Sequence, residues 1–288
     1  MGKPKVLVQL DPDAHASVFD SVVAVDSGVD HLLTHAGVEP TQVRDLVHGA
    51  MFTRGGDDLR RTAIFIGGSN VAAGEALLKQ TLDCFFGPMR VSVMLDASGA
   101  NTTASAAVLA AGQHVKLKDA TVLVLGATGP VGQRVVRLLA EEGAAVRVGS
   151  RSVERAQSVC DAVSGKLADA KLTPVSAGSS AEAGAALDGC TVVIAAGAAG
   201  VELLAEKEFA AASLQVAIDL NAVPPAGIAG IAVTDKAARH GDVICYGAIG
   251  VGGLKMKIHK AAVKQLFKAN DQVLDAVEIY NLGRQLLD

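Results

Sequence analysis

Short apolar runs bounded by glycine recur along this chain and alternate with stretches whose apolar residues follow helical spacing. The runs have the length of fully buried strands, and Ala/Leu-rich stretches such as Val71–Phe86 and Val131–Glu142 lie between them. This alternation is typical of α/β proteins, in which helices cover both faces of a mostly parallel sheet. We therefore predict strands at Val6–Leu10, Thr62–Ile66, Val91–Leu95, Thr121–Leu125, Ala145–Val148, Thr191–Ala195, Val216–Leu220 and Val243–Tyr246.

The polar segment 110–119 separates a helical stretch from a strong strand, and we place a domain boundary there. The expected organisation is an N-terminal α/β substrate-binding lobe over residues 1–115 and a Rossmann-type domain over 116–252. Residues 253–288 are expected to form C-terminal helices that pack back on the N-terminal lobe. Helical spacing runs over Leu254–Lys268 and again from Val273 to the end.

Composition excludes several classes of protein. Of the 288 residues, 50% are hydrophobic and 19% are charged, so the chain is not disordered. The net charge of −4 and the absence of Trp argue against a nucleic-acid partner, because phosphate binding needs basic charge and base stacking needs aromatic rings. No apolar run is long enough to span a membrane, and the charged N-terminus leaves no room for a signal peptide, so we expect a cytoplasmic protein.

The cysteine and histidine residues do not indicate a metal site. The four cysteines are scattered, with no close pair typical of a zinc site or a redox dithiol, and we expect them to be reduced. His31 and His35 are four residues apart, but no third ligand is spaced to join them. We therefore expect no bound metal.

A glycine-rich turn follows the strand Thr121–Leu125 and precedes a helical stretch. It has the spacing G-x-x-G-x-x-G, which places Gly126 at the turn, Gly129 where the backbone approaches a ligand, and Gly132 where helix and strand pack. A pyrophosphate bound here meets free N–H groups at the positive end of the helix. The alternative is an ordinary tight strand-to-helix connection. The predicted nucleotide-binding residues of the turn are Gly126, Thr128, Gly129, Pro130, Val131 and Gly132.

The residues after the next strand favour NADP over NAD. A site for NAD would show Asp or Glu there, to bind the ribose hydroxyls. Instead the chain carries Ser150, Arg151 and Ser152, with Arg155 one turn further, a set suited to a 2′-phosphate. The alternative is that Ser152 caps a helix and Arg151 is a solvated surface charge.

Two further strand ends point to the same ligand edge of the sheet. Gly197 follows the strand Thr191–Ala195, and Asn221 follows Val216–Leu220, so both are candidates for the nicotinamide side of the site. Asp219 lies beside them and is equally compatible with a structural role, with its carboxylate bound by loop amides.

Several polar clusters of the N-terminal lobe are unusual for loops and complete a pattern that runs the full length of the chain. In the same order, the chain carries segments that closely resemble those of the NADP-dependent methylene-tetrahydromethanopterin dehydrogenase of methylotrophic bacteria: Ser17–Asp20, Asp26–His31, Phe52–Gly56, Asp96–Thr103, Gly126–Gly132, Asp219–Gly227 and Gly250–His259.

This resemblance implies an activity. The chain would oxidise the methylene group between N5 and N10 of a tetrahydromethanopterin-type one-carbon carrier to the methenyl form and reduce NADP⁺, with the substrate in a cleft between two lobes. Members of the family form homo-oligomers, and tetrahydrofolate serves some of them as a second carrier. A sister form accepts both NAD and NADP, whereas Ser150 and Arg151 resemble the NADP-selective form.

The chemistry of this reaction indicates roles for residues outside the glycine turn, and Lys255 also lies in the lysine-bearing, glycine-rich segment that resembles the family. The carboxylates of Asp20 and Asp26 would favour the cationic product, whereas the ammonium of Lys255, or Lys257 in its place, would assist the reverse reaction or hold the pterin carbonyl. Structural alternatives remain open: Lys255 as a solvated helix charge, Asn101 at a helix N-cap and Phe19 in the core. The further candidates for binding the substrate are Phe19, Asp96, Asn101, Thr102 and Thr103.

Two other functions are compatible with the residues. The first is an NADP-dependent dehydrogenase of a small, shikimate-like hydroxy acid, which needs a general acid/base such as a Lys–Asp pair. The second is a dinucleotide-sensing module without hydride transfer.

Overall fold

The computed structural model describes residues 2–210, 212 and 214–287, and these form an α/β protein with two mostly parallel sheets. The strands are β1 Val6–Leu10, β2 His31–His35, β3 Thr62–Ile66, β4 Ser92–Leu95, β5 Thr121–Leu125, β6 Ala145–Ser150, β7 Lys171–Ser176, β8 Val192–Ala195, β9 Val216–Asp219, β10 Lys236–His240, β11 Val243–Tyr246 and β12 Val273–Leu274. The helices are α1 Val18–Asp26, α2 Val43–Phe52, α3 Val71–Asp83, α4 Ala100–Gly112, α5 Pro130–Glu141, α6 Val153–Ser164, α7 Ser180–Ala186, α8 Glu206–Ala210, α9 Ala248–Gln265 and α10 Ala276–Gln285.

The chain divides into two compact units. Unit 1 comprises Met1–Thr102 with Met256–Asp288, and unit 2 comprises Thr103–Lys255. Both divisions fall inside helices, the first in α4 and the second in α9, rather than in the polar segment 110–119.

Unit 1 contains a five-stranded sheet in the order β12-β4-β3-β1-β2. All its strand pairs are parallel. The central strands are fully buried because both faces are covered, and Leu7, Ile64 and Val93 are each at most 1% exposed. The chain passes from β1 to β2 on one side and to β3 on the other, so the strand order reverses between β1 and β3. Ligands bind at such reversals, outside the carboxyl ends of the strands.

Unit 2 contains a seven-stranded sheet in the order β10-β11-β9-β8-β5-β6-β7. Only β10 is antiparallel to its neighbour among the described strand pairs. Without β10 the order is that of a dinucleotide-binding Rossmann sheet, whose reversal lies between β5 and β8. Its core is built by inward residues of the central strands, including Leu123, Val193 and Ala217. The prediction of a Rossmann-type sheet plus a second α/β unit is confirmed.

Two predicted elements near the C-terminus are corrected. Gly252 and Gly253 do not precede a helix but lie inside α9, which begins at Ala248. Val273 does not begin the last helix, since Val273 and Leu274 pair with β4 as strand β12. Helix α10 begins only after Asp275, whose side chain forms a capping box with Glu278.

Candidate functional site

The turn between β5 and α5 requires glycine at two positions for reasons of packing. Gly126 has a φ of +68°, and a Cβ on it would lie 2.6 Å from the Cα of Gly197. A Cβ on Gly132, in the first turn of α5, would come within 3.0 Å of three backbone atoms, among them one of Ala127 at 2.7 Å. The helix therefore packs directly on the turn, which aims its N-terminus at the edge of the sheet.

Gly129 differs, because protein packing alone does not require glycine there. It caps α5, whose first helical residue is Pro130, and a Cβ on Gly129 would meet no protein atom closer than 3.4 Å. Gly129 nevertheless lines a pocket. A turn of small residues at the N-terminus of a 12-residue helix without acid in its first turn fits a dinucleotide pyrophosphate. The residues present thus fit the cofactor that the sequence predicts.

Seven predicted nucleotide-binding residues line one pocket of unit 2 at the carboxyl ends of β5, β6 and β8. None of its described lining residues is acidic. The predicted residues that line it are Gly126, Thr128, Gly129, Ser150, Arg151, Arg155 and Gly197, and Ala177, Ala196, Ala198, Val201 and Leu203 complete it. Pro130, Val131 and Gly132 lie in the adjoining first turn of α5.

The end of β6 presents two guanidinium groups to this pocket. Ser150 is the last residue of β6, and its hydroxyl accepts a hydrogen bond from the Ser152 amide at 3.3 Å. Ser152 caps α6, since its Oγ accepts from the amide of Arg155 at 3.3 Å. Arg151 and Arg155 line the pocket on either side of this cap. Ser152 therefore has the capping role that the sequence left open.

The loop after β9 is held together by Asp219 and Asn221. The Asp219 carboxylate accepts from the amides of Gly227 at 2.7 Å, Ile228 at 3.2 Å and Asn221 at 3.0 Å. Burial raises the pKa of Asp219, although these three hydrogen bonds oppose the rise. The Asn221 side chain accepts from the Gly200 and Val223 amides and donates to the Pro225 carbonyl. In this structure both side chains shape the loop, and neither lines the pocket.

In unit 1, the first turn of α1 lies at the reversal point of the sheet. Ser17 caps the helix by accepting from the Asp20 amide. The Asp20 carboxylate lies 3.2 Å from the position that a Cβ on Gly67 would take, and the Asp11 carboxylate lies 3.7 Å from it. Asp11 follows β1 and Gly67 follows β3. Asp20 is therefore placed where a parallel sheet of this order binds ligands.

Phe19 is 53% exposed and so is not a core residue. Its ring centroid lies 6.5 Å from that of His259, which in turn stacks on Phe65 at 5.6 Å. His259 is buried, and its Nδ1 lies 3.9 Å from a carboxylate oxygen of Asp96. Phe19 is thus half exposed, and the ring it lies near, that of His259, is buried.

Three of the predicted substrate residues form a buried network instead of an open surface. Asp96 accepts from the amides of Asn101 and Thr102 and from the Thr102 hydroxyl. The Asn101 side chain donates to the Leu95 carbonyl at 2.6 Å and to Asp275 at 2.9 Å. Each of the three is at most 1% exposed. The network fixes the start of α4, in which Thr103 is partly buried.

The remaining candidates lie on two helices. Asp26 ends α1, six residues after Asp20 and so about 9 Å along the helix. Its carboxylate pairs with Lys260 at 2.8 Å. Lys255 and Lys257 both lie on α9, about 200° apart around its axis, and Lys257 is exposed whereas Lys255 is partly buried.

Asp11, Gly67 and His259 were not predicted from the sequence as site residues. The first two follow buried strands that were predicted, so the rule that ligands bind at the carboxyl ends of strands was sufficient to find them. No comparable signal marks His259, because its partners come from distant parts of the chain.

Within the described residues, no group of three or more His, Cys, Asp or Glu side chains is placed to hold a metal ion. In the same part of the chain, every helix is too short or too polar to cross a membrane.

Family models match both parts of the chain. Residues 18–98 match the N-terminal domain of methylene-tetrahydromethanopterin dehydrogenase, and residues 126–279 match an NAD(P)H-binding family. The second match begins at Gly126, the first glycine of the turn described above. Because it spans more than half of the chain, the protein belongs to the NAD(P)H-binding proteins.

Curated relatives match nearly the whole chain. The bifunctional protein MdtA of Methylorubrum extorquens is 44% identical over 98% of this chain and 99% of its own length. The NAD(P)-dependent methylenetetrahydromethanopterin dehydrogenase of the same organism is 31% identical over 98% of each chain. Among solved structures, the ligand-free 5-ketofructose reductase of Gluconobacter sp. strain CHM43 has a TM-score of 0.55 over 99% of both chains at 14% identity, a likeness of fold alone.

These matches confirm the resemblance seen in the sequence, and they extend over both units rather than over the nucleotide-binding turn alone. The chain belongs to the methylene-tetrahydromethanopterin dehydrogenase family.

Proposed function

We propose that this protein transfers hydride between the methylene group of methylene-tetrahydromethanopterin and NADP⁺, giving the methenyl form, in one-carbon metabolism. The observation that carries the proposal is end-to-end similarity to a dehydrogenase named for this substrate, together with the match of residues 18–98 to the substrate-named N-terminal domain. The NAD(P)H-binding match and the pocket of unit 2 support a binding site for the nucleotide, which is the second reactant.

The reaction does not require a general acid or base from the protein. Loss of hydride from a carbon between two nitrogens leaves a cation that both nitrogens stabilise, so no proton has to move in the transition state. The protein must hold the reacting carbons roughly 3–3.5 Å apart and exclude water that would hydrolyse the methenyl product. This separates the reaction from oxidation of a hydroxy acid, which needs a general base.

The residues of unit 2 bind and select the nucleotide. NADP⁺, when bound, would supply the hydride acceptor. The N-terminus of α5 and the turn at Gly126 and Gly129 hold its pyrophosphate, and Arg151 and Arg155 bind its 2′-phosphate through charge-assisted hydrogen bonds. Ser152 and Asn221 act by fixing the local backbone, because their side chains are hydrogen-bonded to it.

In unit 1 we assign substrate contacts to the first turn of α1. Phe19 offers a half-exposed ring on which a pterin can stack. The carboxylate of Asp20 stabilises the cationic product. Lys255 belongs to unit 2, and its proposed role is to assist the reverse reaction, because an ammonium disfavours that cation. Asp96, Asn101 and Thr102 are buried and hydrogen-bonded to one another, so we assign them a structural role instead of a direct contact with the substrate.

We also propose that the protein is a homo-oligomer of the cytoplasm. The four cysteines are free, and burial raises the pKa of each, that of Cys245 to about 12. Protonated thiols are poor nucleophiles and suit a reducing compartment. Light scattering on the purified protein measures its oligomeric state.

The test is an assay of two carriers with two nucleotides. Methylene-tetrahydromethanopterin and methylene-tetrahydrofolate are each supplied with NADP⁺ and NAD⁺, and a shikimate-like hydroxy acid serves as a third substrate. We expect NADPH to form with the methanopterin carrier and the hydroxy acid to be inert. Turnover of the hydroxy acid alone contradicts the proposal, and binding of NADP⁺ without turnover of any substrate favours the sensing module.

A further inference from the structure

The first turn of α6 contains a hydrogen bond that the nucleotide site does not need. The Ser152 hydroxyl donates to the carboxylate of Glu154 at 2.6 Å, while the same oxygen accepts from the Arg155 amide at 3.3 Å. The hydroxyl hydrogen of Ser152 is therefore donated to Glu154, and the hydroxyl oxygen accepts the hydrogen bond that caps the helix. A phosphate at the end of β6 finds no free donor on Ser152.

Glu154 is also the one acid in this turn, and it lies between two pocket-lining arginines in the chain. Arg151 and Arg155 form no ion pair with any described residue, so both positive charges remain available to an anion. The hydrogen bond from Ser152 lowers the pKa of Glu154, which keeps the carboxylate ionised at neutral pH. Two arginines therefore line the pocket, and one negative charge lies next to them in the first turn of α6 without lining it.

We propose that Glu154 is a specificity-determining residue that limits the preference of this site for NADP over NAD. Its charge opposes the 2′-phosphate of NADP, and its oxygen holds the one hydroxyl of the helix cap away from that phosphate. NAD has an uncharged hydroxyl at this position, so the carboxylate has little effect on it. The inference rests on the proposed function only in taking the unit 2 pocket as the nucleotide site.

The size of the effect follows from the exposure of the carboxylate. Glu154 is exposed, so its carboxylate repels a doubly charged phosphate through a water-like dielectric. Over separations of roughly 7–10 Å such a repulsion weakens binding about three- to tenfold, and salt screens it over about 10 Å at 0.1 M. Glu154 therefore tunes the selectivity that Arg151 and Arg155 create and does not reverse it.

The test compares Glu154→Gln with a charge-matched control on the same helix. Glutamine keeps an oxygen that accepts from Ser152 and removes the charge. Asp161→Asn removes one charge from a side chain that accepts from Gln157 at 2.7 Å, about 10 Å further along α6. Isothermal titration calorimetry measures the Kd of NADP⁺ and of NAD⁺ for the wild type and each variant at low salt.

We expect Glu154→Gln to tighten NADP⁺ roughly three- to tenfold, with NAD⁺ within about twofold of wild type and Asp161→Asn without effect on either. Glu154→Lys, which reverses the charge, should tighten NADP⁺ further, and about 0.5 M salt should remove most of the gain. Unchanged or weaker NADP⁺ binding by both Glu154 variants overturns the proposal, and so does equal tightening of both nucleotides.

The outcome for Glu154 is separable from that for the enzyme activity. Binding is measured without a carrier, so a wild type that binds NADP⁺ but transfers no hydride contradicts the proposed function and leaves the Glu154 comparison decisive. A wild type that binds neither nucleotide overturns the assignment of the pocket and with it the role of Glu154.

Discussion

The Cα of Gly197 lies 2.6 Å from the position that a Cβ on Gly126 would occupy. Gly126 follows β5 and Gly197 follows β8, so the two loops meet where the strand order of the unit 2 sheet reverses. This contact closes the base of the pocket on which the nucleotide assignment depends. A side chain at position 126 has no space, and the backbone there is also left-handed.

Substitution of Gly126 by alanine should therefore disrupt both folding and nucleotide binding. The matched control is Gly143→Ala, because Gly143 also has a positive φ, of +79°, but its Cβ would meet nothing closer than 3.8 Å. We expect Gly143→Ala to cost about 1–2 kcal/mol of stability with normal NADP⁺ affinity. Gly126→Ala should cost more than the control and weaken NADP⁺ binding at least about tenfold, as measured by urea unfolding and calorimetry. Equal effects of the two variants would show that the contact with Gly197 is unimportant.

Arg151 should carry a large share of the preference for NADP⁺. We expect the wild type to favour NADP⁺ over NAD⁺ by at least about tenfold. Arg151→Asp should remove most of that ratio, because a tenfold preference corresponds to about 1.4 kcal/mol, which the loss of one charged contact can account for. Lys166→Asp makes the same change of charge just beyond the other end of α6, about 20 Å away, and should leave the ratio unchanged. The measurement is the ratio of kcat/KM for the two nucleotides. An unaltered ratio in Arg151→Asp would show that residues other than Arg151 distinguish NADP⁺ from NAD⁺.

The two lysines of α9 should differ in their effect on turnover. They lie on opposite sides of the helix, and Lys255 shares a face with the buried His259, four residues on. We expect Lys255→Ala to lower kcat of the reverse reaction, from the methenyl carrier and NADPH, roughly a hundredfold, because the ammonium proposed to assist that direction is lost, and Lys257→Ala to stay within about threefold. Steady-state kinetics with methenyl-tetrahydromethanopterin and NADPH decide between them. The reverse order of effects would move the catalytic role to Lys257.

His114 should make unit 2 less stable in mild acid. Its Nε2 lies 2.8 Å from the Tyr246 hydroxyl, and burial, with a smaller contribution from Arg239, lowers its pKa below the ordinary 6.5. The unfolded chain then binds a proton more readily than the folded one, so stability present at neutral pH is lost as pH falls through this range. Urea unfolding at about pH 7.5 and 5.5 should show a smaller pH effect in His114→Gln than in the wild type. The same pH effect in His114→Gln and in the wild type would show that His114 does not cause the loss of stability in acid.

The predicted strands are those with a neighbouring strand on each side, and the missed strands are sheet edges. All eight predicted runs match strands β1, β3, β4, β5, β6, β8, β9 and β11 to within about two residues at each end. The four missed strands, β2, β7, β10 and β12, are the two edges of each sheet. Edge strands are half solvated and therefore lack a continuous apolar run: β7 contains Pro174 and β2 carries two histidines.

The two candidate sites were predictable to different degrees. The nucleotide pocket is built from short local motifs, because the turn at Gly126 and the cap at Ser152 each follow a predicted strand directly. The surroundings of Asp96 are not local. Asn101 bonds to Asp275, 174 residues away, and only the fold shows that these polar groups satisfy one another. Polar clusters in a sequence therefore mark candidates without distinguishing an open surface from a buried network.

The most direct measurement follows the transferred hydrogen itself. Methylene-tetrahydromethanopterin carrying two deuterium atoms on the bridging carbon is incubated with the protein and NADP⁺, and both products are analysed by mass spectrometry. The account predicts one deuterium in each reduced nucleotide and one retained on each methenyl carbon. Unlabelled NADPH, or no nucleotide reduction while the protein binds NADP⁺, would contradict it.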